Sequence, residues 1–149
     1  MFNLKSKLFL LAAVLIFGGF SAANAQINEG TSIKVNVPNA FTLRDTTFDA
    51  GIYTIERTPS TIDSPSLLVL RGDNGSSMIF DTIVARSNNA APATRLVFDT
   101  VGETTYLTAI AVKGQSSVNE IAKTKAQTRK LAEGNVARLY LTINDANGF

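Results

Sequence analysis

The 149-residue chain contains no histidine, no cysteine and no tryptophan. Without imidazole or thiolate there is no Ser-His or Cys-His nucleophilic pair. Zinc sites built on nitrogen and sulfur ligands, and haem held by His or Cys, are excluded in the same way. A lipid-modified N-terminal cysteine is impossible, and no disulfide can staple the fold. The phosphate-cradling patterns G-x-x-x-x-G-K-[ST] and G-x-G-x-x-G are also missing. An EF-hand loop begun at Asp73 fails at its twelfth position, where Val84 stands instead of Glu. No cofactor and no metal are expected, and the balance points away from an enzyme.

Paired carboxylates are the one formal route left to acid–base chemistry. Asp81 is the oddest carboxylate, because it lies between Ile79 and Ile83 on an otherwise apolar strand face. Buried there, it would hold its proton more tightly and could donate it. The plainer expectation is a sheet-edge residue bonded to a neighbouring Thr or Arg.

What is present begins with an export signal. Lys5 and Lys7 precede an apolar run from Leu8 to Phe20, and Ala23 and Ala25 flank Asn24. A basic start, a short apolar stretch and an A-x-A site predict a secretory signal over residues 1–25, cut between Ala25 and Gln26. The run is too short for a membrane-spanning helix, which needs about 20 apolar residues. A periplasmic or extracellular address follows, with no stable membrane insertion after cleavage.

The chain carries 14 basic and 12 acidic residues, and removing Lys5 and Lys7 leaves 12 against 12. Residues 26–149 are formally neutral, so no basic stripe is expected to track nucleic-acid phosphates or an anionic membrane. That length suits a single domain with one core.

Along this region short apolar stretches alternate with turn residues. "SIKVNV" places Ile33, Val35 and Val37 on one face, the period of a half-buried strand. "AFTL", "IYTIER", "SLLVLR", "SSMIFDTIVAR", "TRLVFDTV", "TTYLTAIAV" and "NVARLYLTIN" continue the pattern, the last with Ala137, Leu139, Leu141 and Ile143 on one face. The expected fold is all-β: an antiparallel meander of about seven or eight short strands in a sandwich or small barrel. One short helix interrupts it before the last strand, in "KTKAQTRKLAEG". Thr124 and Gln127 form a capping-box pattern, Gly134 suits the C-terminal end, and Ala126 and Leu131 offer a thin apolar face. Residues 144–149 read as a loose tail.

Two strands are apolar on both faces, which a strand with one side in water should not be. Met78, Phe80 and Val84 alternate with Ile79 and Ile83; Tyr106, Ile110 and Val112 alternate with Leu107, Ala109 and Ala111. A helix, a second sheet, a ligand or a partner subunit is expected to cover the second face.

"LRGDNGSS" contains Arg71-Gly72-Asp73, a tripeptide of adhesive ligands. Gly, Asp and Asn belong at a hairpin tip for backbone reasons alone, so a plain turn is the expectation. Asn74-Gly75-Ser76 matches a glycosylation sequon.

The stretch "VNVPNAFTL…FDAGIYTIER" resembles a family of small exported β-rich proteins of unknown function common in acidobacterial genomes. Val35, Val37, Pro38, Phe41, Ala50, Gly51, Tyr53 and Ile55 match its V-x-V-P-x-x-F and P-A-G-x-Y-x-[IV] segments. Leu96, Val97, Phe98, Gly102, Tyr106 and Leu107 match a later one. Asn39, Asp49 and Val101 depart from it, and Asp99 stands where relatives often carry His. The resemblance implies export and a β-rich fold, and it supplies no site.

The functional expectation is a non-enzymatic envelope or secreted domain acting through a protein partner or self-association. One alternative is a small barrel holding an apolar ligand between Phe80, Tyr106 and Ile110. Another is a small outer-membrane barrel, suggested by the terminal Phe149. The interruption "NDANG" and strands mostly shorter than about 10 residues weigh against the latter.

Overall fold

A computed structural model describes residues 32–58 and 66–144. Period-two alternation produces β1 (Ser32–Val37), with Ile33, Val35 and Val37 buried and Ser32, Lys34 and Asn36 exposed. After Pro38 the chain forms β2 (Phe41–Leu43) and β3 (Thr46–Phe48), joined by Arg44 and Asp45. Arg44 takes φ 58°, a conformation that a side chain disfavours. β4 (Gly51–Arg57) pairs antiparallel with β1 and with β5 (Leu67–Gly72).

The ten-residue β6 (Ser77–Arg86) changes partner halfway along. Ser77 to Asp81 pair with β5, and Thr82 to Arg86 pair with β9 (Ser117–Ile121). β7 (Thr94–Val101) and β8 (Thr104–Ala111) form a hairpin, and β8 returns through Gly114 to pair with β9. α1 (Lys125–Glu133) follows, and β10 (Val136–Ile143) closes the order against β7. β2 meets β8 through one parallel pair, Thr42 with Tyr106; every other pairing is antiparallel.

The fold is all-β with one short helix before the last strand, in an open ten-stranded sheet whose two halves share β6. Two strands escaped the sequence reading. β3 is only three residues long, and β9 mixes Ser, Asn and Glu into its ladder.

The inner faces of both halves meet in one apolar core that includes Ile33, Val35, Ile55, Leu68, Leu70, Leu96, Leu107 and Ile110. Phe41 is its aromatic hub. Its ring lies 5.5 Å from Phe48, 5.2 Å from Tyr53 and 5.9 Å from Phe98, centroid to centroid. Tyr53 is buried, and its hydroxyl donates to the Asp49 carbonyl at 2.6 Å. A Tyr tied back to backbone four residues earlier pins the corner before β4, as such bonds do in β-sandwiches. Tyr53→Phe is expected to lower stability by about 1 kcal/mol, because the Asp49 carbonyl loses that donor. Urea titration followed by circular dichroism would read this, and an unchanged midpoint would refute it.

A bulge explains why β8 looks apolar on both faces. Val97 pairs with Ala109 and Phe98 with Leu107, so Thr108 is the extra residue. Its hydroxyl donates to the Val97 carbonyl at 3.1 Å. The insertion switches the inward parity, so Leu107 and Ile110 both reach the core. Tyr106, Ala109 and Ala111 are left on the outer face. β6 is different: the expected cover over its second face is absent among the described residues. Ile79 is 59% exposed and Ile83 62%.

Thr124 caps α1 as expected, its hydroxyl accepting from Gln127 N at 3.2 Å. The reciprocal half of the capping box is not made, since Gln127 Oε1 is buried without a hydrogen-bond partner. Gln127 is the buried residue of the helix, while Ala126 is exposed, which corrects the expected apolar face. Gly134 ends the helix in extended backbone, at φ −115°, rather than in a left-handed cap. It must be glycine for another reason: a Cβ there would overlap Val101 Cγ2.

The export segment with its Ala25–Gln26 cut, most of the "TPSTIDSP" loop, and residues 145–149 of the tail lie outside the described residues. Among the described residues no helix is long and apolar enough to cross a membrane.

Candidate functional site

The outer face of the second half-sheet holds a cleft with ligand-sized geometry and a net charge. Pairing across the strands sets Ile83, Glu120, Ala109, Val97 and Tyr140 in one row. The next row runs Ala85, Val118, Ala111, Arg95 and Thr142. Side chains on one sheet face stand roughly upright, so small residues in the middle and long ones at the rim leave a hollow. The resulting cleft encloses about 350 Å³.

Ala85, Val97, Ala109 and Val118 contribute apolar surface to it, and Arg86, Arg95, Lys123 and Arg138 contribute charge, with Glu120 as the opposing acid. Four of the 12 cations in residues 26–149 therefore converge on one site. They come from β6, β7, β10 and the segment before α1, so no run of the sequence announces them.

Arg138 is anchored from below. Its Nε donates to Asp99 Oδ1 at 2.8 Å and its Nη2 to Asp99 Oδ2 at 3.0 Å. Asp99 is 2% exposed, whereas the Arg138 side chain is about half exposed. Hydrogen bonding and charge from Asp99 hold the Arg138 guanidinium well above its ordinary pKa. Arg95 lies over the Tyr140 ring, 4.8 Å from its centroid, a cation–π contact that fixes it flat at the rim. Its Nε is buried with no hydrogen-bond acceptor. A second hollow between the end of α1 and the β7–β8 turn carries Lys130 and Glu133, and so has no net charge to select a ligand.

The residues singled out from sequence fall elsewhere. Phe80 and Ile110 are fully buried in the packed core, and neither they nor Tyr106 line the cleft. Asp81 is exposed on β6, without the burial that a proton donor would need. Among the described residues no group of three or more metal-ligating side chains comes together.

Arg71-Gly72-Asp73 sits at the β5–β6 turn, where Gly72 N donates to the Ser76 carbonyl at 2.8 Å. Arg71 Nε reaches Glu56 at 2.8 Å, and Lys34 lies 3.9 Å from Asp73, so both charges already face neighbouring strands. A Cβ on Gly72 would stand 2.9 Å from the Tyr53 ring and 2.5 Å from Asn74 Oδ1, which accounts for the glycine.

No protein-family model, curated protein or solved structure matches the chain. Asp99 and Arg138 were invisible from sequence as a pair because 39 positions separate them. The only signal was an Asp inside the apolar run "LVFDTV", which calls for a buried partner.

Proposed function

We propose that the protein is an exported, non-enzymatic β-domain of the bacterial envelope or secreted fraction that acts by binding a protein partner along β10. The observation that carries this reading is the exposure of that strand's apolar side chains. Val136 is 45% exposed, Leu139 53% and Tyr140 55%. Among the described residues β10 pairs on one side only, with β7, leaving a row of backbone donors and acceptors on the other. Such an edge is a template for strand addition. Export rests on residues 1–25, with release at Ala25–Gln26.

Mass measurement on protein recovered from a periplasmic extract is expected to give a chain starting at Gln26. Native mass spectrometry of the same sample should report a stoichiometric protein complex or dimer. Leu139→Lys places a charge on the docking strand without touching the cleft, and should dissociate that assembly. An unprocessed cytoplasmic chain would end the export reading. Assembly unaffected by Leu139→Lys would end the β10 reading.

A further inference from the structure

We infer that the cleft over β7, β8 and β9 is a binding site for a small organic carboxylate with an apolar body. The ligand's charge follows from the charge left over at the rim. Arg138 is matched by Asp99, while among the described residues Arg86, Arg95 and Lys123 have no carboxylate within ion-pair distance. Glu120 offsets one of these three. An excess of two positive charges is left in a region that is neutral as a whole, so positive charge is concentrated here rather than spread over the surface.

Arg95 identifies the acceptor. Arg95 lines the cleft, while its Nε is sealed from solvent without a hydrogen-bond partner. Tyr140 holds the guanidinium plane in place. Arg138 spends Nε and Nη2 on Asp99 and also lies within hydrogen-bonding influence of Tyr140. Planar forks of this kind pair best with planar carboxylates.

The floor decides the rest of the molecule. Val97, Ala109, Ala85 and Val118 line it with apolar surface beside Ser87 and Thr108, the latter's hydroxyl being spent on the Val97 carbonyl, so a bare inorganic anion would leave the apolar part unused. A volume of about 350 Å³ lies within the usual range of small-molecule pockets.

The test is isothermal titration calorimetry on protein expressed from the full chain, in low-salt buffer. The titrants are 4-phenylbutyrate, decanoate, 4-phenylbutyramide and inorganic phosphate. At least one of the two carboxylates should bind one per chain with Kd below about 1 mM. The tighter of them separates aryl from acyl ligands. Arg95→Met should weaken it by about tenfold or more, through loss of the charge-assisted bonds, and the neutral amide should bind at least as weakly. Lys123→Met gives an independent reading if Arg95→Met disturbs the fold by circular dichroism. Leu139→Lys should leave binding unchanged, which separates this site from the β10 edge. No carboxylate binding, equal binding of the amide, displacement by equimolar phosphate, or insensitivity to both Met variants would each overturn the assignment.

Discussion

Truncating Phe41 to alanine lowers the stability of the domain by about 3–5 kcal/mol, the range for a buried Phe in a core that cannot close around the gap. Phe41 is 2% exposed and contacts three other rings, each at 5.2–5.9 Å. Those rings are fixed by separate strands. Phe48 belongs to β3, Tyr53 is bonded to Asp49, and Phe98 lies at the register shift between β7 and β8. None can swing inward without breaking its own contacts, so the vacancy persists. β2 is three residues long, pairs with β3 and meets β8 through a single pair, so Phe41 and Leu43 supply its anchorage in the core. Urea unfolding of the purified variant should show a lowered midpoint. A loss under about 1 kcal/mol would mean that the rings repack freely and that the hub is not a hub.

The second large effect belongs to Arg138→Met. Breaking a buried ion pair on one side typically costs about 3–5 kcal/mol. Arg138 reaches solvent, so part of the lost interaction is replaced by water, and about 2–3 kcal/mol is expected at neutral pH. The loss comes from Asp99, left charged and nearly inaccessible. The double variant Asp99→Leu, Arg138→Leu should recover most of the difference, since an apolar pair often replaces an ionic one without penalty. A double variant no more stable than Arg138→Met alone would show that lost packing, not an orphaned charge, is responsible.

Local features of the fold were legible where local physics decides them. The alternation of Ile33, Val35 and Val37 specified β1 and its inward face, and Thr124 specified the start of the helix. The turn at Arg71-Gly72-Asp73 followed from residue types alone. Where long-range pairing decides, the sequence is silent. β8 read as apolar on both sides because nothing local marks Thr108 as an insertion, and the change of parity appears only against β7. Gly134 was assigned to the right place for the wrong reason, because its constraint comes from Val101, far away in the chain. The cleft is the extreme case. Its cations come from separate elements, and only register brings Ala109 between Glu120 and Val97 to make the floor. Overall charge balance hid this concentration by averaging it away.

β6 belongs to both halves at once. Among the described residues it is the only strand whose backbone bonds join the β1-β4-β5 ribbon to the rest of the sheet. Neither half can open its ladder fully without fraying a strand the other needs, so loss of order at one end propagates to the other. The molecule is thus built to come apart in one cooperative step, its two ribbons riveted along a single ten-residue seam.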